Sequence, residues 1–263
     1  MEQFFTLKKG NKMRYLSIVF GVLAVVGSFM PTTCGYEYNK FLSQLISAGD
    51  LVFDVGAHIG DKTQLYLREN ARVVCIEPQP GCCNKLKDRF RNNSQVTIEQ
   101  VGLAEEPGSL QLLICSSSPA ISTFSSEWKE KSRHADRGYK WDLAVTVPVV
   151  TLDSLIEKYG IPQFCKIDVE NFEYNVLKGL SHPIPSLSIE FHVETFNEAI
   201  KCLDRLEDLG YKEFNFAAGE IPEFVFKVWH SKADLVRELV NYSFVYYTKE
   251  KDQLWGDIYA KHS

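Results

Sequence analysis

The chain of 263 residues has no excess of positive charge: 29 Lys and Arg stand against 34 Asp and Glu, for a net charge of −5. Proteins that bind nucleic acid neutralise phosphates with a basic surface, so the composition disfavours nucleic-acid partners. The sequence has no internal repeat and no low-complexity tract, which argues against a repeat architecture. Its length and its 45% hydrophobic residues suit one α/β domain with a short leader.

The seven cysteines include no C-x-x-C pair, and their number is odd. Cys75 and Cys165 lie inside apolar runs typical of strands. Buried reduced thiols explain this pattern better than a disulfide framework or a zinc site. The adjacent Cys82 and Cys83, at a predicted helix start, leave a redox-sensitive pair open as the alternative.

A long membrane-spanning run is also missing. Residues 15–30 contain no charge and follow a basic segment, but they number sixteen, and a full span needs about 20. This pattern predicts a signal peptide or a short membrane anchor, unless translation begins at Met13. We therefore divide the chain into a leader, residues 1–34, and a domain, residues 35–263. The protein is expected to be cytoplasmic, or membrane-associated through residues 15–30.

The stretch around which the chain is organised is LVFDVGAHIG, residues 51–60. An apolar run reaches Asp54, and Gly56 and Gly60 allow a tight turn that comes close to a ligand. This is not the dinucleotide fingerprint G-x-G-x-x-G, and no Lys-Ser/Thr pair follows Gly60, so the P-loop is excluded. A strand, a glycine turn and a helix in this order indicate a nucleotide-cofactor loop.

Strand-like and helical patterns alternate along the rest of the domain, which predicts a mostly parallel sheet with helices on both faces. The predicted strands of this sheet are residues 51–55, 72–77, 96–100, 164–169, 187–193, 211–216 and 255–260. The predicted helices are residues 36–49, 61–69, 80–92, 152–160, 171–179, 195–209 and 232–240. Residues 144–150 and the segments flanking the turn at 105–108 are also strand-like.

Acidic residues and a histidine fall at the ends of these strands, where open α/β sheets bind their ligands. Glu77 follows Asp54 by 23 residues, the distance at which a carboxylate meets ribose hydroxyls. Alternation puts Ser188, Glu190 and His192 on one face of their strand. The complete set at strand ends is Asp54, Glu77, Asp168, Glu170, Glu190 and His192.

Six motifs, in order, resemble the FkbM family of S-adenosylmethionine-dependent methyltransferases. They are VFDVGAHIG, CIEPQP, VVTLDSLIEKYG, KIDVENFEYNVLKG, SIEFH and LWGDIYA, and they extend over roughly residues 50–260. The resemblance implies a Rossmann-like class I fold with a seven-stranded sheet, S-adenosylmethionine as cofactor, and usually methylation of a hydroxyl oxygen. The chain departs from the family at Asn171, where a glycine is common, and at His58 and Asp61.

The resemblance also implies roles for individual residues. The cofactor loop would be Asp54, Gly56, Ala57 and Gly60, with Glu77 on the ribose, Pro78 after it, and residues 99–103 near the adenine. Asp168, in KIDVE, would lie beside the methyl group and contribute to cofactor binding. The expected catalytic residues are Asp168, His192 and Glu170, and our hypothesis is that Asp168 or His192 removes the acceptor proton. The alternative is that Glu170 and Glu190 only order the loop and that His192 is structural.

A divalent metal is another use for two or three carboxylates and a histidine, but no local ligand spacing supports it, so we predict none. The expected acceptor is a hydroxyl on a small molecule, a glycan or a lipid; the oligomeric state is left open. Residues 116–142 are read as an acceptor lid with Trp128 and Trp141 as aromatic walls, or as a solvated insertion. The competing functions are a non-catalytic binding protein on the same scaffold and an NAD-dependent dehydrogenase, which the glycine pattern disfavours.

Overall fold

The computed structural model describes residues 32–247 and 255–262, with side chains described within 37–242 and 255–262. The chain divides into two compact units, Met1–Tyr36 and Glu37–Ser263. The predicted signal or anchor segment, residues 15–30, lies outside the described residues, and the leader boundary at residue 34 stays a prediction. Among the helices that are described, none is both long and apolar enough to cross a membrane.

Helices and strands alternate along the domain as the pattern predicts. The helices are α1 Thr32–Leu42, α2 Asp61–Arg68, α3 Pro80–Arg89, α4 Ser126–Lys131, α5 Arg133–Asp136, α6 Leu152–Tyr159, α7 Glu173–Lys178, α8 Phe196–Asp208 and α9 Lys232–Tyr247. The strands are β1 Leu51–Val55, β2 Arg72–Ile76, β3 Val96–Glu99, β4 Gly102–Leu103, β5 Gly108–Ile114, β6 Leu143–Val150, β7 Phe164–Ile167, β8 Ser186–His192, β9 Glu213–Ala218 and β10 Trp255–Lys261.

Seven strands form the main sheet in the order β3-β2-β1-β7-β8-β10-β9. β10 runs antiparallel to β8 and β9, and the other pairings are parallel. This confirms the predicted class I methyltransferase fold, with its mostly parallel seven-stranded sheet. The order reverses between β1 and β7, so the crevice where such sheets bind ligands lies beyond the carboxyl ends of these two strands.

Helices cover both faces of the sheet, which explains the unbroken apolar run of β1, whose five residues are all buried. On β8, Leu187, Ile189 and Phe191 enter the main hydrophobic core. The intervening Ser188, Glu190 and His192 are also buried. The predicted alternation of β8 is therefore confirmed, and the polar face of the strand is covered as completely as the apolar one.

Several element ends differ from the prediction, among them the first helix, which ends at Leu42 rather than residue 49, and α9, which extends to Tyr247 rather than residue 240. Two differences concern the strands. The strand expected over 164–169 ends at Ile167, because Glu170 and Asn171 both take left-handed backbone angles, φ 57° and 67°. Asparagine tolerates this region better than most residues, which fits Asn171 in place of the family's glycine. The second difference is a separate three-stranded sheet, β4-β6-β5, formed by the strand-like pieces that the pattern left unassigned.

Candidate functional site

The glycine turn between β1 and α2 lies against the ends of β2 and β7. The backbone N–H groups of Gly56 and Ala57 both donate to the carbonyl oxygen of Ile76, at 2.9 and 3.2 Å. A Cβ on Gly56, where φ is 83°, would stand 1.8 Å from the carbonyl oxygen of Asp168. Gly56 is therefore required because two strand ends converge here, and the turn is built into the crevice of the sheet.

Asp54 stabilises this glycine turn from its buried position on β1. Its carboxylate is buried and accepts a hydrogen bond of 2.5 Å from Thr63 Oγ1 on α2. This contact ties the strand before the glycine turn to the helix after it. The sequence-based assignment of Asp54 to cofactor binding stays a prediction, and the structure gives its side chain a contact within the protein.

Glu77 follows β2 at the edge of the same crevice and is 7% exposed. Its two carboxylate oxygens accept backbone N–H groups, Oε1 from Gln79 and Oε2 from His58, both at 2.8 Å. His58, which donates one of these N–H groups, takes a left-handed φ of 49°. Burial raises the pKa of Glu77 to about 7, against the opposing effect of these two N–H donors.

Lys166 and Asp168 form a partly buried ion pair at the end of β7. Lys166 lies beside Asp54 in the sheet register and is 5% exposed. Burial would lower the pKa of Lys166, but Asp168 and Asp257 outweigh it and raise the pKa well above the ordinary value. Burial works to raise the pKa of Asp168, and the Lys166 ammonium outweighs it, so Asp168 stays ionised.

Glu170, Glu190 and His192 come together from the loop after β7 and the end of β8. Each offers a ligand atom, and these three atoms lie within 4.8 Å of one another. Glu190 Oε2 and His192 Nε2 are 3.1 Å apart. Asp168 is next to this group, and its side chain is 30% exposed whereas those of Glu190 and His192 are 8% and 7% exposed. The three predicted catalytic residues thus lie in one cluster that opens at Asp168.

The pKa values in this cluster reflect crowding of acids. Burial first, and then the Asp168 charge, raise the pKa of Glu170 and of Glu190 well above the ordinary value. Burial and the nearby Arg133 charge lower the pKa of His192 to about 3. His192 is therefore a neutral imidazole at pH 7, which can donate or accept a hydrogen bond but carries no charge.

The strand order and the cluster at the ends of β7 and β8 agree with a methyltransferase site, and the comparisons with known proteins identify its family. A family model for the methyltransferase FkbM domain matches residues 54–213. The chain belongs to the FkbM methyltransferase family. This span contains the glycine turn, Glu77 and the cluster, so the resemblance read from the motifs is confirmed, and with it S-adenosylmethionine as the cofactor.

A curated relative is the hexuronic acid methyltransferase AglP of Haloferax volcanii, 25% identical over 158 residues. The match spans 58% of this chain and 60% of AglP, so the FkbM chain covers less than two thirds of that relative. Similar solved structures include precorrin-6y C5,15-methyltransferase from Geobacter metallireducens GS-15, at 12% identity, 86% and 87% coverage and a TM-score of 0.45. Another is SMU.1697c from Streptococcus mutans in complex with SAH, at 10% identity, 88% and 99% coverage and a TM-score of 0.42.

The residues at the end of β2 fit the ribose of S-adenosylmethionine. An ionised carboxylate offers about four acceptor positions, and the N–H groups of His58 and Gln79 occupy two of them on Glu77. The two that remain suit a pair of ribose hydroxyls. Ala57 is buried in the turn and Pro78 is half-buried after Glu77, and their assignment to cofactor binding stays a prediction.

We expect cofactor affinity to depend on the protonation of Glu77. Ribose hydroxyls donate to the ionised form, so lowering the pH through about 7 weakens S-adenosylmethionine binding, by up to about tenfold per unit below the pKa. Folding stability depends on pH in the opposite direction. The pKa of Glu77 is higher in the folded chain than in the unfolded one, so the contribution of this carboxyl to the free energy of unfolding is lost as the pH rises through about 7. Calorimetry between pH 6 and 8 measures the first effect. Glu77→Gln should bind weakly with a flat pH dependence, and an equally steep dependence in that variant would contradict the assignment.

The segment from 116 to 142 has its own small core rather than being a solvated insertion. Trp128 and Trp141 are buried with Cys115 and Ile121, and Trp141 Nε1 donates to the carbonyl oxygen of Ile121 at 2.9 Å. Neither tryptophan forms an open wall, because both are interior. Trp128 does reach the site, since its ring centroid is 4.2 Å from that of His192.

Arg133 and Glu194 join this segment to the end of β8, and the sequence reading missed them. Arg133 Nε and Nη2 donate to the two oxygens of Glu194 at 2.6 and 2.7 Å, and the side chains are 11% and 20% exposed. The two residues are 61 positions apart, so no local pattern reveals the pair. A two-point charged contact of this kind fixes the segment over the cluster.

Arg133→Ala should loosen this segment while leaving the sheet intact. The loss of a partly buried, two-point ion pair is expected to cost about 2 kcal/mol and to raise hydrogen exchange across residues 116–142. Lys131→Ala is the matched control, because its pair with Glu127 is exposed and should contribute about 0.5 kcal/mol or less. Equal exchange in the two variants would show that Arg133 does not hold the segment.

Six cysteines within the described side chains are buried and free: Cys75, Cys82, Cys83, Cys115, Cys165 and Cys202. Cys34 lies outside them. Burial raises the pKa of Cys82 and of Cys83 to about 12, and Cys83 Sγ donates to the carbonyl oxygen of Glu77. Thiols with so little thiolate at pH 7 are unreactive, so this pair is structural.

Near the predicted adenine position, Glu99 Oε1 accepts from Lys158 and Tyr159 of α6.

Proposed function

We propose that this FkbM methyltransferase transfers the methyl group of S-adenosylmethionine to a hydroxyl oxygen of a glycan or another small molecule. The observation that carries the proposal is the cluster at the ends of β7 and β8, where Asp168 is the carboxylate that an acceptor can reach. A hydroxyl is a poor nucleophile until its proton is removed, so a base in contact with it promotes the transfer.

In this reaction, some residues of the chain bind the cofactor and another removes the proton of the acceptor. S-adenosylmethionine supplies an electrophilic methyl group on a positively charged sulfur. The glycine turn and Glu77 hold it at the crevice, and Asp168 takes the proton of the acceptor hydroxyl. The acceptor oxygen forms its bond to the methyl carbon as the carbon–sulfur bond breaks, S-adenosylhomocysteine leaves, and the proton passes to water. Positioning supplies much of the rate, because the three reacting atoms must lie nearly in line.

A glycan is the acceptor class we favour, because the curated relative AglP acts on a hexuronic acid. A hexuronic acid offers both hydroxyls and a carboxyl, so either an ether or an ester could form. The cluster supports the ether, because a carboxylate acceptor carries no proton that a base must remove. Lipid and other small-molecule hydroxyls are the remaining members of this class.

Two measurements test the proposal. Calorimetry should show binding of S-adenosylmethionine and none of NAD; the reverse result would support the dehydrogenase alternative. The full chain is then incubated with cofactor carrying a labelled methyl group and with glycosides of glucuronic and galacturonic acid. The transferred label should resist mild alkali, as an ether does. Label released by alkali would indicate an ester, and cofactor binding without transfer to any acceptor would favour a non-catalytic protein.

The location of the protein is a further proposal, either in the cytoplasm or at a membrane through residues 15–30. Fractionation of cells that express the full chain, or a chain lacking residues 1–30, separates the two. Loss of membrane association on deletion would establish the anchor.

A further inference from the structure

We propose that Glu170, Glu190 and His192 bind a divalent cation, Mg²⁺ or Mn²⁺, beside the position of methyl transfer. The site itself stands on the geometry of these three side chains. Its catalytic role rests on the proposed function, because the cation would act on the acceptor hydroxyl.

The distances suit a small divalent ion. Glu190 Oε2 and His192 Nε2 are 3.1 Å apart, and neighbouring ligands around an octahedral ion with bonds of about 2.1 Å are about 3 Å apart. Opposite ligands around the same ion are about 4.2 Å apart, whereas the three ligand atoms lie within 4.8 Å. Binding of the ion would therefore require the ligand side chains to move toward one another by about half an ångström.

Two atoms of the cluster point to a missing partner. Glu170 Oε2 and His192 Nδ1 are buried and have no hydrogen-bond partner among the described residues. His192 as a whole is 6% exposed, and Nε2 faces Glu190, so one ring nitrogen is left for another contact. Buried polar atoms are nearly always paired in proteins. A cation in this place would give Glu170 Oε2 the partner that it lacks.

The donor set suits a cation as the partner. Three carboxyl groups, those of Asp168, Glu170 and Glu190, lie together at the ends of two strands. Lys166 pairs with Asp168, and Arg133 pairs with Glu194. Binding of a cation would require Glu170 and Glu190 to ionise, and carboxylate oxygens with one imidazole are the ligands that Mg²⁺ and Mn²⁺ accept.

The backbone holds Glu170 in this position. Its φ of 57° is a left-handed conformation that a glutamate rarely adopts, and its carbonyl oxygen accepts a 2.6 Å hydrogen bond from Thr123 Oγ1. Asn171, with φ 67°, donates to Ser125 Oγ at 3.2 Å. Strained backbone kept in place by such contacts is concentrated at functional sites, and here it directs Glu170 toward the end of β8.

A cation at this site would place positive charge beside the acceptor oxygen. The charge lowers the pKa of the acceptor hydroxyl, so the proton passes to Asp168 more readily, and the bond changes are those of the methyl transfer above. The cation is neither consumed nor oxidised in this reaction.

The test is a titration of the purified full chain with Mn²⁺, followed by the electron paramagnetic resonance signal of the free ion. We expect one Mn²⁺ per chain, released by EDTA. Glu190→Gln, His192→Ala and Glu170→Gln should each weaken binding at least about tenfold. The matched controls are Glu105→Gln and His182→Ala, two exposed residues outside the cluster, which should bind Mn²⁺ like the wild type.

The inference would be overturned if the folded chain binds no Mn²⁺ up to millimolar concentration, or if the three cluster variants bind it like the controls. Glu170 is only partly buried, so Glu170→Gln decides the question if the other two variants do not fold. Calorimetry with S-adenosylmethionine on the same samples distinguishes failure of the metal site from failure of the proposed function. A chain that binds the cofactor but not Mn²⁺ would contradict the metal site alone. Once an acceptor has been identified, EDTA should lower the rate of methyl transfer at least about tenfold, and Mg²⁺ should restore it.

Discussion

Gly56→Ala is expected to abolish S-adenosylmethionine binding and to lower the free energy of unfolding by about 3–5 kcal/mol. Two effects combine at this position. The backbone φ is 83°, which strains any residue with a Cβ, and the added methyl group would lie 1.8 Å from the carbonyl oxygen of Asp168. The turn and the end of β7 would have to separate, and that separation opens the crevice in which the cofactor is held.

Gly49→Ala is the control that isolates the close contact. Gly49 has nearly the same backbone angle, φ 88°, but an added Cβ meets nothing within 4 Å. It should therefore lose only about 1–2 kcal/mol from backbone strain and bind the cofactor normally. Chemical denaturation and calorimetry on both variants give the comparison. Equal losses in the two would mean that conformational freedom alone, and not the approach of Asp168, requires Gly56.

Asp168→Asn should lower kcat by a factor of about 10² to 10⁴, the usual contribution of a positioned base. The substitution keeps the size of the side chain and removes its negative charge. It also removes the counterion of Lys166, which is 5% exposed, so a fall in thermal stability is expected with it. Rates must therefore be measured at a temperature where calorimetry shows that the variant still binds S-adenosylmethionine.

Asp204→Asn makes the same chemical change at an exposed ion pair with Lys232 and should leave kcat unchanged. His192→Ala completes the series, because the sequence left Asp168 and His192 as alternatives for removing the proton. A large loss in Asp168→Asn with a smaller one in His192→Ala assigns the proton to Asp168. If both variants keep near-normal turnover with cofactor binding intact, neither residue is the base.

The fold could be predicted because the periodic patterns and the strand-end motifs agree. The main-sheet strands were placed within a few residues, since a buried parallel strand is an unbroken apolar run between turn residues. The end of β7 is one place where the pattern and the structure differ. The pattern extends the strand to residue 169, but the left-handed angles of Glu170 and Asn171 turn the chain earlier. The residues of the KIDVEN motif by themselves do not predict these left-handed angles.

The cofactor half of the site is local, which is why it could be recognised without a structure. Asp54, Gly56 and Gly60 lie within seven residues of one another, and Glu77 follows at the end of the adjacent parallel strand. Parallel strands bring their carboxyl ends to one edge, so their order along the chain already implies their proximity. The family motif then assigns the cofactor.

The residues that we propose for the acceptor half of the site are brought together only by the tertiary structure. Glu170 comes from the loop after β7 and Glu190 and His192 come from the end of β8, and their spacing along the chain predicts no shared ligand. Trp128 reaches His192, and Arg133 reaches Glu194 across 61 positions, from a segment that periodicity left irregular. Sequence determined the α/β fold and the methyl donor because both depend on short-range patterns. The cluster that we propose for the acceptor forms only where β7, β8 and the inserted segment meet, so its geometry, burial and charge were decided by the folded chain.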